Sequence, residues 1–406
     1  MKKLLGFVFG LGLLAAPTFA ADAPKEPIKI GEINSYKAVP LYTENYRRGW
    51  TLAVEEINAA GGIHGRKVKV IDRDDLGTPG EALRVAQELT LNEKVDILTG
   101  CMFGNICIAL GDYAKQNKMP LIRLFGDFEL PETQRENDYA FGLYSLFVTA
   151  RAPAAYLADK HIDVTRWASI APNYAYGHQA AQIFSTYLAK QNPKVQWLPT
   201  YWFPVGKLDA AATIGAIQRK RVDGVFNCSF ASDVSQLVRV STRRGFAKGK
   251  TIVSLETGMP ESMNTLGTEV PEGWIMTGYP SEQIKTAEHK AFVDRYKKRW
   301  GKTPGWMSLN GYNVYKFIFA AMEKAPSLKP QDIVRAMEDG LTIQSPIGKL
   351  EMRAADHIST QGIWVGVSHV EKGHPMLKDW EYYPGDRLLI DGSKVNPLQK
   401  TTEKKR

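Results

Sequence analysis

The sequence predicts an α/β protein with two Rossmann-like lobes, each built on a sheet of the parallel type, and two observations support this fold class. Short strand-like runs alternate with longer helical runs from residue 28 onward, and the same alternation restarts after residue 145. Alternating strands and helices are typical of parallel sheets covered by helices on both faces. The 406 residues also exceed what a single hydrophobic core usually accommodates.

The first α/β unit begins at residues 28–31, where apolar and polar residues alternate as in a strand. Apolar residues then recur at helical spacing from Tyr46 to Ile57, and Gly61 with Gly62 ends this predicted helix. Further strands are predicted around 68–70, 95–99 and 120–124, with helices around 83–89 and 105–117 between them.

The second unit follows the same order, with helices predicted over 150–160 and 179–190 and strands at 167–170, 222–226 and 252–255. Two such units in tandem imply a cleft between them. Ligands bind in such clefts, at the carboxyl ends of parallel strands. Residues 393–406 are polar and charged without periodicity, which predicts a mobile tail.

Residues 1–21 have the pattern of a secretory signal peptide. Lys2 and Lys3 precede an apolar run that ends at Ala16, and cleavage is expected after Ala20 or Ala21. A transmembrane anchor is the alternative, but a spanning helix needs ~20 apolar residues and this run is shorter. No cysteine follows the cleavage site to carry a lipid. We therefore expect a soluble protein that is exported to the periplasm.

The formal net charge of +9 is spread along the chain. The densest basic clusters, at residues 219–221 and 297–299, lie in helix-like sequence where a solvated face is expected. Nucleic acid is therefore not an expected partner. A mildly positive cleft that attracts organic anions fits the charge better.

The three cysteines, Cys101, Cys107 and Cys228, leave two readings open. Cys101 and Cys107 can close a short disulfide loop in an oxidising compartment, or all three can be buried thiols. The sequence has neither a CxxC motif nor clustered histidines, so we predict no metal site and no cofactor.

Enzyme motifs are not supported at their required spacings. No serine has a glycine two residues away on each side, and no His-Glu-x-x-His is present. The run from Gly245 to Thr251 is one residue short of a phosphate-binding loop and lies between a helix and a strand in the wrong order. Cys228 has no identifiable histidine partner that would make it a nucleophile. We therefore predict no catalytic residues.

Several blocks of sequence carry a family resemblance. The most specific block runs from Arg47 through the predicted helix to Arg66 and continues at 74–79. Later blocks follow in order at Tyr176-Gly177, 292–296 and 345–350. Together they resemble the type I periplasmic solute-binding proteins of ABC transporters, in the leucine/isoleucine/valine-binding protein family. The resemblance covers residues 28 to 370.

This resemblance implies two lobes joined by a three-segment hinge, which close on a small molecule and deliver it to an inner-membrane ABC permease. Lobe 1 would comprise residues 28–145 and 281–358, and lobe 2 residues 146–280 and 359–392. We expect a monomer without enzymatic activity. A ligand-sensing receptor of the same fold and an exported enzyme are the alternatives.

The candidate ligand contacts in lobe 1 lie in two loops. Phe103, Gly104 and Asn105 join a strand to a helix, and free N–H groups at a helix N-terminus can hold a carboxylate. The alternative is an ordinary connection in which Asn105 caps the helix. Phe125 and Gly126 are candidates in the second loop. The family places hydroxyl groups at both loops, and this sequence lacks them.

The remaining candidates are aromatic or acidic. Tyr42 stands where the family places an aromatic ring over the ligand, Tyr176 precedes a helix in lobe 2, and Phe230 follows a strand. Glu256 matches the acidic residue that pairs with a ligand ammonium group, although a surface carboxylate is the alternative. These residues predict a small amphipathic carboxylate as ligand, either a hydrophobic or branched-chain amino acid or an aromatic acid.

Overall fold

A computed structural model describes residues 26–126 and 133–395. The predicted signal peptide at 1–21 lies outside the described residues, and so does the predicted tail beyond Val395. The first three residues of that tail are described. Residues 392–394 form a short 3-10 turn, and Val395 is buried.

The first lobe is built on a five-stranded sheet in which all neighbouring strands are parallel. Its strands are β1 Ile28–Asn34, β2 Val68–Asp74, β3 Ile97–Gly100, β4 Leu121–Phe125 and β5 Ala140–Tyr144, and its helices are α1 Pro40–Ala59, α2 Pro79–Gln87 and α3 Gly104–Asn117. The spatial order is β2-β1-β3-β4-β5. Every residue of β3, β4 and β5 is buried, as expected for strands covered on both faces.

The second lobe begins after β5 and repeats the alternation. Its strands are β6 Arg166–Pro172, β7 Gln196–Trp197, β8 Tyr201–Phe203, β9 Gly224–Asn227, β10 Thr251–Gly258 and β11 Ile275–Gly278, and its helices are α4 Leu146–Asp159, α5 Ala175–Gln191, α6 Ala210–Gln218, α7 Ala231–Arg244 and α8 Pro260–Leu266. The central strands β6, β9, β10 and β11 are parallel neighbours.

The chain then returns to the first lobe through α9 Ala287–Trp300, α10 Trp306–Lys324, α11 Pro330–Glu338 and the hairpin β12 Thr342–Ser345 and β13 Gly348–Glu351. Helix α10 packs along α1 at very short range. A Cβ atom on Gly49 would lie 1.9 Å from the Ser308 carbonyl oxygen, and one on Gly311 would lie 2.2 Å from that of Tyr46. Glycine at both positions lets the two backbones touch.

Strands β14 Ile363–Glu371 and β15 His374–Tyr383, followed by helix α12 Gly385–Leu388, complete the second lobe. Both strands are antiparallel to their neighbours, in the order β15-β14-β11-β10-β9-β6-β7 with β8 on β6. The second sheet is therefore mixed at one edge. The chain passes between the two lobes three times, after β5, after β11 and after the separate hairpin of β12 and β13.

Within residues 26–126 and 133–395, no helix combines the length and the apolar character that a membrane crossing requires.

Candidate functional site

A cavity lies between the two lobes, and its walls come from the carboxyl ends of strands in both sheets. Its lining residues are Val39, Tyr42, Met102, Phe103, Gly104, Phe125, Tyr174, Tyr176, Phe230, Glu256 and Met307. The empty space is about 450 Å³, including the open mouth. The mainly apolar and aromatic lining is typical of small-molecule sites.

Seven of the nine residues that the sequence predicts as ligand contacts line this cavity, and Asn105 and Gly126 do not. Asn105 is exposed on the first turn of α3. Gly126 is buried in a tight contact, because a Cβ atom there would lie 2.0 Å from Ile358 Cδ1 and 2.9 Å from Gly142 Cα. The structure therefore gives Gly126 a packing role at the third passage of the chain between the lobes.

Four further residues line the cavity without having been predicted as ligand contacts: Val39, Met102, Tyr174 and Met307. Met102 lies in the loop already identified after β3, so the strand-end signal was sufficient to find it. Met307 lies on the first turn of α10, which enters from the returning segment of the chain. No local pattern marks that helix end as part of the cleft.

The N-terminus of α3 opens toward the cavity. The helix begins at Gly104, one residue earlier than predicted, and Phe103 precedes it with φ −92° and ψ 138°. No side chain of the described residues caps this end, and Phe103 stands at the N-cap, so the alternative in which Asn105 caps the helix is wrong. No described residue accepts a hydrogen bond from the Gly104 or Asn105 backbone N–H. Such free N–H groups carry partial positive charge and can bind an anion.

Glu256 is the one charged residue among the described residues that line the cavity. It lies within β10, where the pairing with β11 shifts register between Ser254 and Gly258, and its backbone has φ +57°. Its N–H donates to Thr277 Oγ1 at 2.7 Å. Irregularities of this kind re-aim side chains. The irregularity therefore turns Glu256 toward the cleft, and the strand continues to Gly258, whereas the sequence predicted that it ends at residue 255.

The Glu256 side chain is 8% exposed, and no hydrogen bond to its carboxylate is present among the described residues. Burial and, to a smaller extent, the neighbouring Glu261 carboxylate together raise its pKa to about 7. A carboxylate in this setting is poorly stabilised as an anion. A ligand that brings a cation or a hydrogen-bond donor to Glu256 would therefore stabilise its ionised form.

Aromatic rings form the rest of the lobe 2 wall. Tyr176 lies 5.9 Å from Tyr174 and 6.1 Å from Phe230 between ring centroids. The Tyr176 hydroxyl is buried and has no hydrogen-bond partner among the described residues. Burial raises the pKa of this phenol well above its usual value, so the group stays neutral and can donate or accept a hydrogen bond.

Two contacts connect the lobes beside the cavity. Tyr42, on α1, accepts a hydrogen bond from the Ala231 backbone N–H at 3.2 Å and lies 3.4 Å from Ser262 Oγ, both in lobe 2. In the opposite direction, the Glu261 carboxylate of α8 accepts from the backbone N–H groups of Trp306 and Met307 at 3.2 and 2.9 Å. The two lobes are therefore closed on each other in this structure.

The structure also decides between the two readings of the cysteines. Cys101 and Cys107 form a disulfide with Cα atoms 5.4 Å apart, at the loop that leads into α3. Cys228 is a buried free thiol. In the part of the chain that the structure describes, no three His, Cys, Asp or Glu side chains are grouped so that they could hold a metal ion.

Comparisons with known proteins agree with this geometry. A "Leu/Ile/Val-binding protein homolog 7" from Brucella melitensis is 24% identical over 345 residues, covering 80% of this chain and 85% of the relative. A solute-binding protein of an ABC transporter from Rhodopseudomonas palustris, solved in complex with 3,4-dihydroxybenzoic acid, superposes with a TM-score of 0.79 at 20% identity. The match covers 91% of this chain and 99% of that structure.

A branched-chain amino acid transporter substrate-binding protein from Streptococcus pneumoniae, solved in complex with isoleucine, superposes with a TM-score of 0.74 at 21% identity. That match covers 88% of this chain and 99% of the other. The two-lobed fold is therefore that of the type I periplasmic binding proteins. The sequence pattern of the periplasmic binding protein family matches residues 27–373, so the chain belongs to this family.

Proposed function

We propose that the protein is the periplasmic receptor of an ABC importer and captures a small amphipathic carboxylate, either a hydrophobic amino acid or an aromatic acid. The observation that carries this proposal is the pairing of two unlike polar groups in one aromatic cavity. Glu256 supplies a buried carboxylate from lobe 2, and the free N–H groups at Gly104 supply partial positive charge from lobe 1.

The polarity of the lining decides which end of the ligand binds where. No described lining residue is basic, so only backbone N–H groups and hydroxyls can hold a ligand carboxylate. An ammonium group or a hydroxyl donor on the ligand would then meet Glu256. The rings of Phe103, Phe125 and Tyr176 cover the apolar body between the two ends. The compounds bound by the two structural relatives, isoleucine and 3,4-dihydroxybenzoic acid, both have such a form.

Capture occurs by hinge closure between lobe 1, residues 28–145 with 281–358, and lobe 2, residues 146–280 with 359–392. A ligand that contacts Gly104 and Glu256 together bridges the lobes and favours the closed state. Export depends on the signal peptide at 1–21, and a monomer delivers the ligand unchanged to the inner-membrane permease. The family consists of solute-binding proteins, which supports capture without chemistry.

The test is calorimetric titration of the purified protein with L-isoleucine, L-phenylalanine, 4-hydroxybenzoate and glucose, after unfolding and refolding to remove any retained ligand. We expect micromolar or tighter binding of one of the acids and none of glucose. Small-angle scattering should show a smaller radius of gyration at saturation. Tight binding of the sugar alone would overturn the proposed ligand class, and an unchanged radius would contradict closure.

A further inference from the structure

We propose that the Cys101–Cys107 disulfide is a positioning element of the ligand site, which holds the loop from Met102 to Gly104 in its binding conformation before any ligand arrives. This inference rests on the proposed function, because the loop lines the proposed ligand cavity. The disulfide then contributes to affinity as well as to the stability of the fold.

The backbone at the start of this loop is strained. Gly100 has φ +117°, and a Cβ atom there would lie 2.0 Å from the Ile33 carbonyl oxygen. Cys101 follows with φ +62°, a left-handed conformation that is unfavourable for a residue with a side chain. Its N–H donates to the same Ile33 oxygen at 2.8 Å. Such a conformation persists only where its surroundings hold it.

The other end of the disulfide is firmly anchored. Cys107 lies within α3, its N–H donates to the Phe103 carbonyl at 2.9 Å, and its own carbonyl accepts from the buried Arg123 guanidinium at 2.7 Å. Both cysteines are fully buried. The disulfide therefore ties the strained residue to a rigid point of the helix and so offsets the tendency of Cys101 to relax.

The cavity-lining residues Met102, Phe103 and Gly104 all lie between the two cysteines. They include the ring of Phe103 and the free N–H of Gly104, which the proposed ligand contacts. A chain segment closed by a covalent link has fewer conformations to lose when the ligand binds. Without the link, part of the binding free energy would be used to order the loop.

The experiment compares the protein with and without the disulfide by two routes. The first route is the double variant with Cys101→Ala and Cys107→Ala. The second is wild-type protein that is reduced with a phosphine while unfolded and then refolded in its presence, because the disulfide is fully buried in the folded protein. The disulfide becomes two thiols while the phosphine is oxidised to its oxide, and water supplies the oxygen and protons. The probes are L-isoleucine, L-phenylalanine and 4-hydroxybenzoate, titrated well below the melting temperature.

We expect either route to raise the Kd of the bound probe by about fivefold or more. The reductant should have no effect on the double variant, and it should retain its full effect on the matched variant Cys228→Ser, whose thiol lies outside the cavity lining. A lower melting temperature with an unchanged Kd would show that the disulfide only stabilises the fold, and would overturn the inference.

Amide hydrogen exchange of the ligand-free protein tests the same inference without a ligand. Peptides that cover residues 100–108 should exchange at least tenfold faster after reduction, whereas peptides that cover β9 and β10 should not change. If none of the probes binds wild-type protein, the proposed ligand class fails, and this measurement still decides the role of the disulfide. Unchanged exchange at 100–108 would contradict it.

Discussion

The Tyr42 hydroxyl links the two lobes directly, because its oxygen accepts a hydrogen bond from the Ala231 backbone N–H at 3.2 Å. Tyr42 lies on α1 in lobe 1, and Ala231 is the first residue of α7 in lobe 2 with φ +52°. The same hydroxyl lies 3.4 Å from Ser262 Oγ. Since Tyr42 also lines the cavity, one side chain takes part both in closure and in the ligand wall.

Tyr42→Phe should weaken ligand binding without removing the ring from the wall. The loss of one buried hydrogen bond across the lobes destabilises the closed state by about 1 kcal/mol, which corresponds to roughly a fivefold rise in Kd. Calorimetric titration measures the change. The matched control is Tyr113→Phe, which removes a hydroxyl bonded to Thr90 inside lobe 1. An equal change of Kd in both variants would contradict a specific role in closure.

Gly126→Ala should destabilise the fold rather than alter ligand contacts. The new methyl group would overlap Ile358 Cδ1, and the backbone of Gly142 leaves little room to move. Overpacking of this kind costs about 1–3 kcal/mol in the free energy of unfolding. Thermal or urea unfolding provides the measurement, and Gly80→Ala is the control because a Cβ atom there meets nothing within 4 Å. If Gly126→Ala has the same free energy of unfolding as wild type, the residue lies in an open loop and not in a tight contact.

Local patterns in the sequence were sufficient to predict the alternating order of the elements. Most of the cavity wall was predicted from the ends of buried strands together with the family resemblance, which marked Tyr42 and Glu256. Long-range contacts decide the rest. Met307 reaches the cavity from a helix more than 260 residues after Val39 and Tyr42, and the role of Gly126 depends on Ile358. The antiparallel edge formed by β14 and β15 likewise depends on tertiary pairing, which strand-like composition alone does not specify.

The contribution of Glu256 to the stability of the ligand-free protein should fall as pH rises from about 4.5 to about 7. Glu256 has a pKa of about 7 in the folded protein against an ordinary 4.5, so the folded state binds its proton more tightly than the unfolded state. Ionisation of this buried carboxylate therefore lowers the free energy of unfolding, by an amount on the order of 3 kcal/mol.

Urea unfolding at several pH values, for wild type and Glu256→Gln, isolates this contribution. The difference between the two proteins should grow across that pH interval in favour of the variant. Glu261 also has a raised pKa through burial and remains in both proteins, while Tyr42, Tyr176 and Cys228 stay neutral throughout because burial raises their pKa values. If the free energies of unfolding of wild type and Glu256→Gln change in parallel with pH, Glu256 is not held in an unfavourable environment.

The chemical class of the ligand should be decided by how Glu256→Gln changes binding at pH 8, where the wild-type carboxylate is ionised. An amino acid places its ammonium group on Glu256, so loss of the negative charge should weaken binding by about 2 kcal/mol, or roughly thirtyfold. An aromatic acid without a cation faces a buried carboxylate that it cannot neutralise. For such a ligand the variant should bind equally well or more tightly.

The matched control is Glu55→Gln, which removes a carboxylate that pairs with Arg299 on the protein surface. Its effect on Kd should be small for either ligand class, because exposed ion pairs contribute little and lie outside the cavity. Calorimetric titration of both variants with L-isoleucine, L-phenylalanine and 4-hydroxybenzoate gives the comparison. An amino acid that binds wild type and Glu256→Gln equally well would show that its ammonium group lies elsewhere, and the free N–H groups near Gly104 would then be the remaining polar anchor.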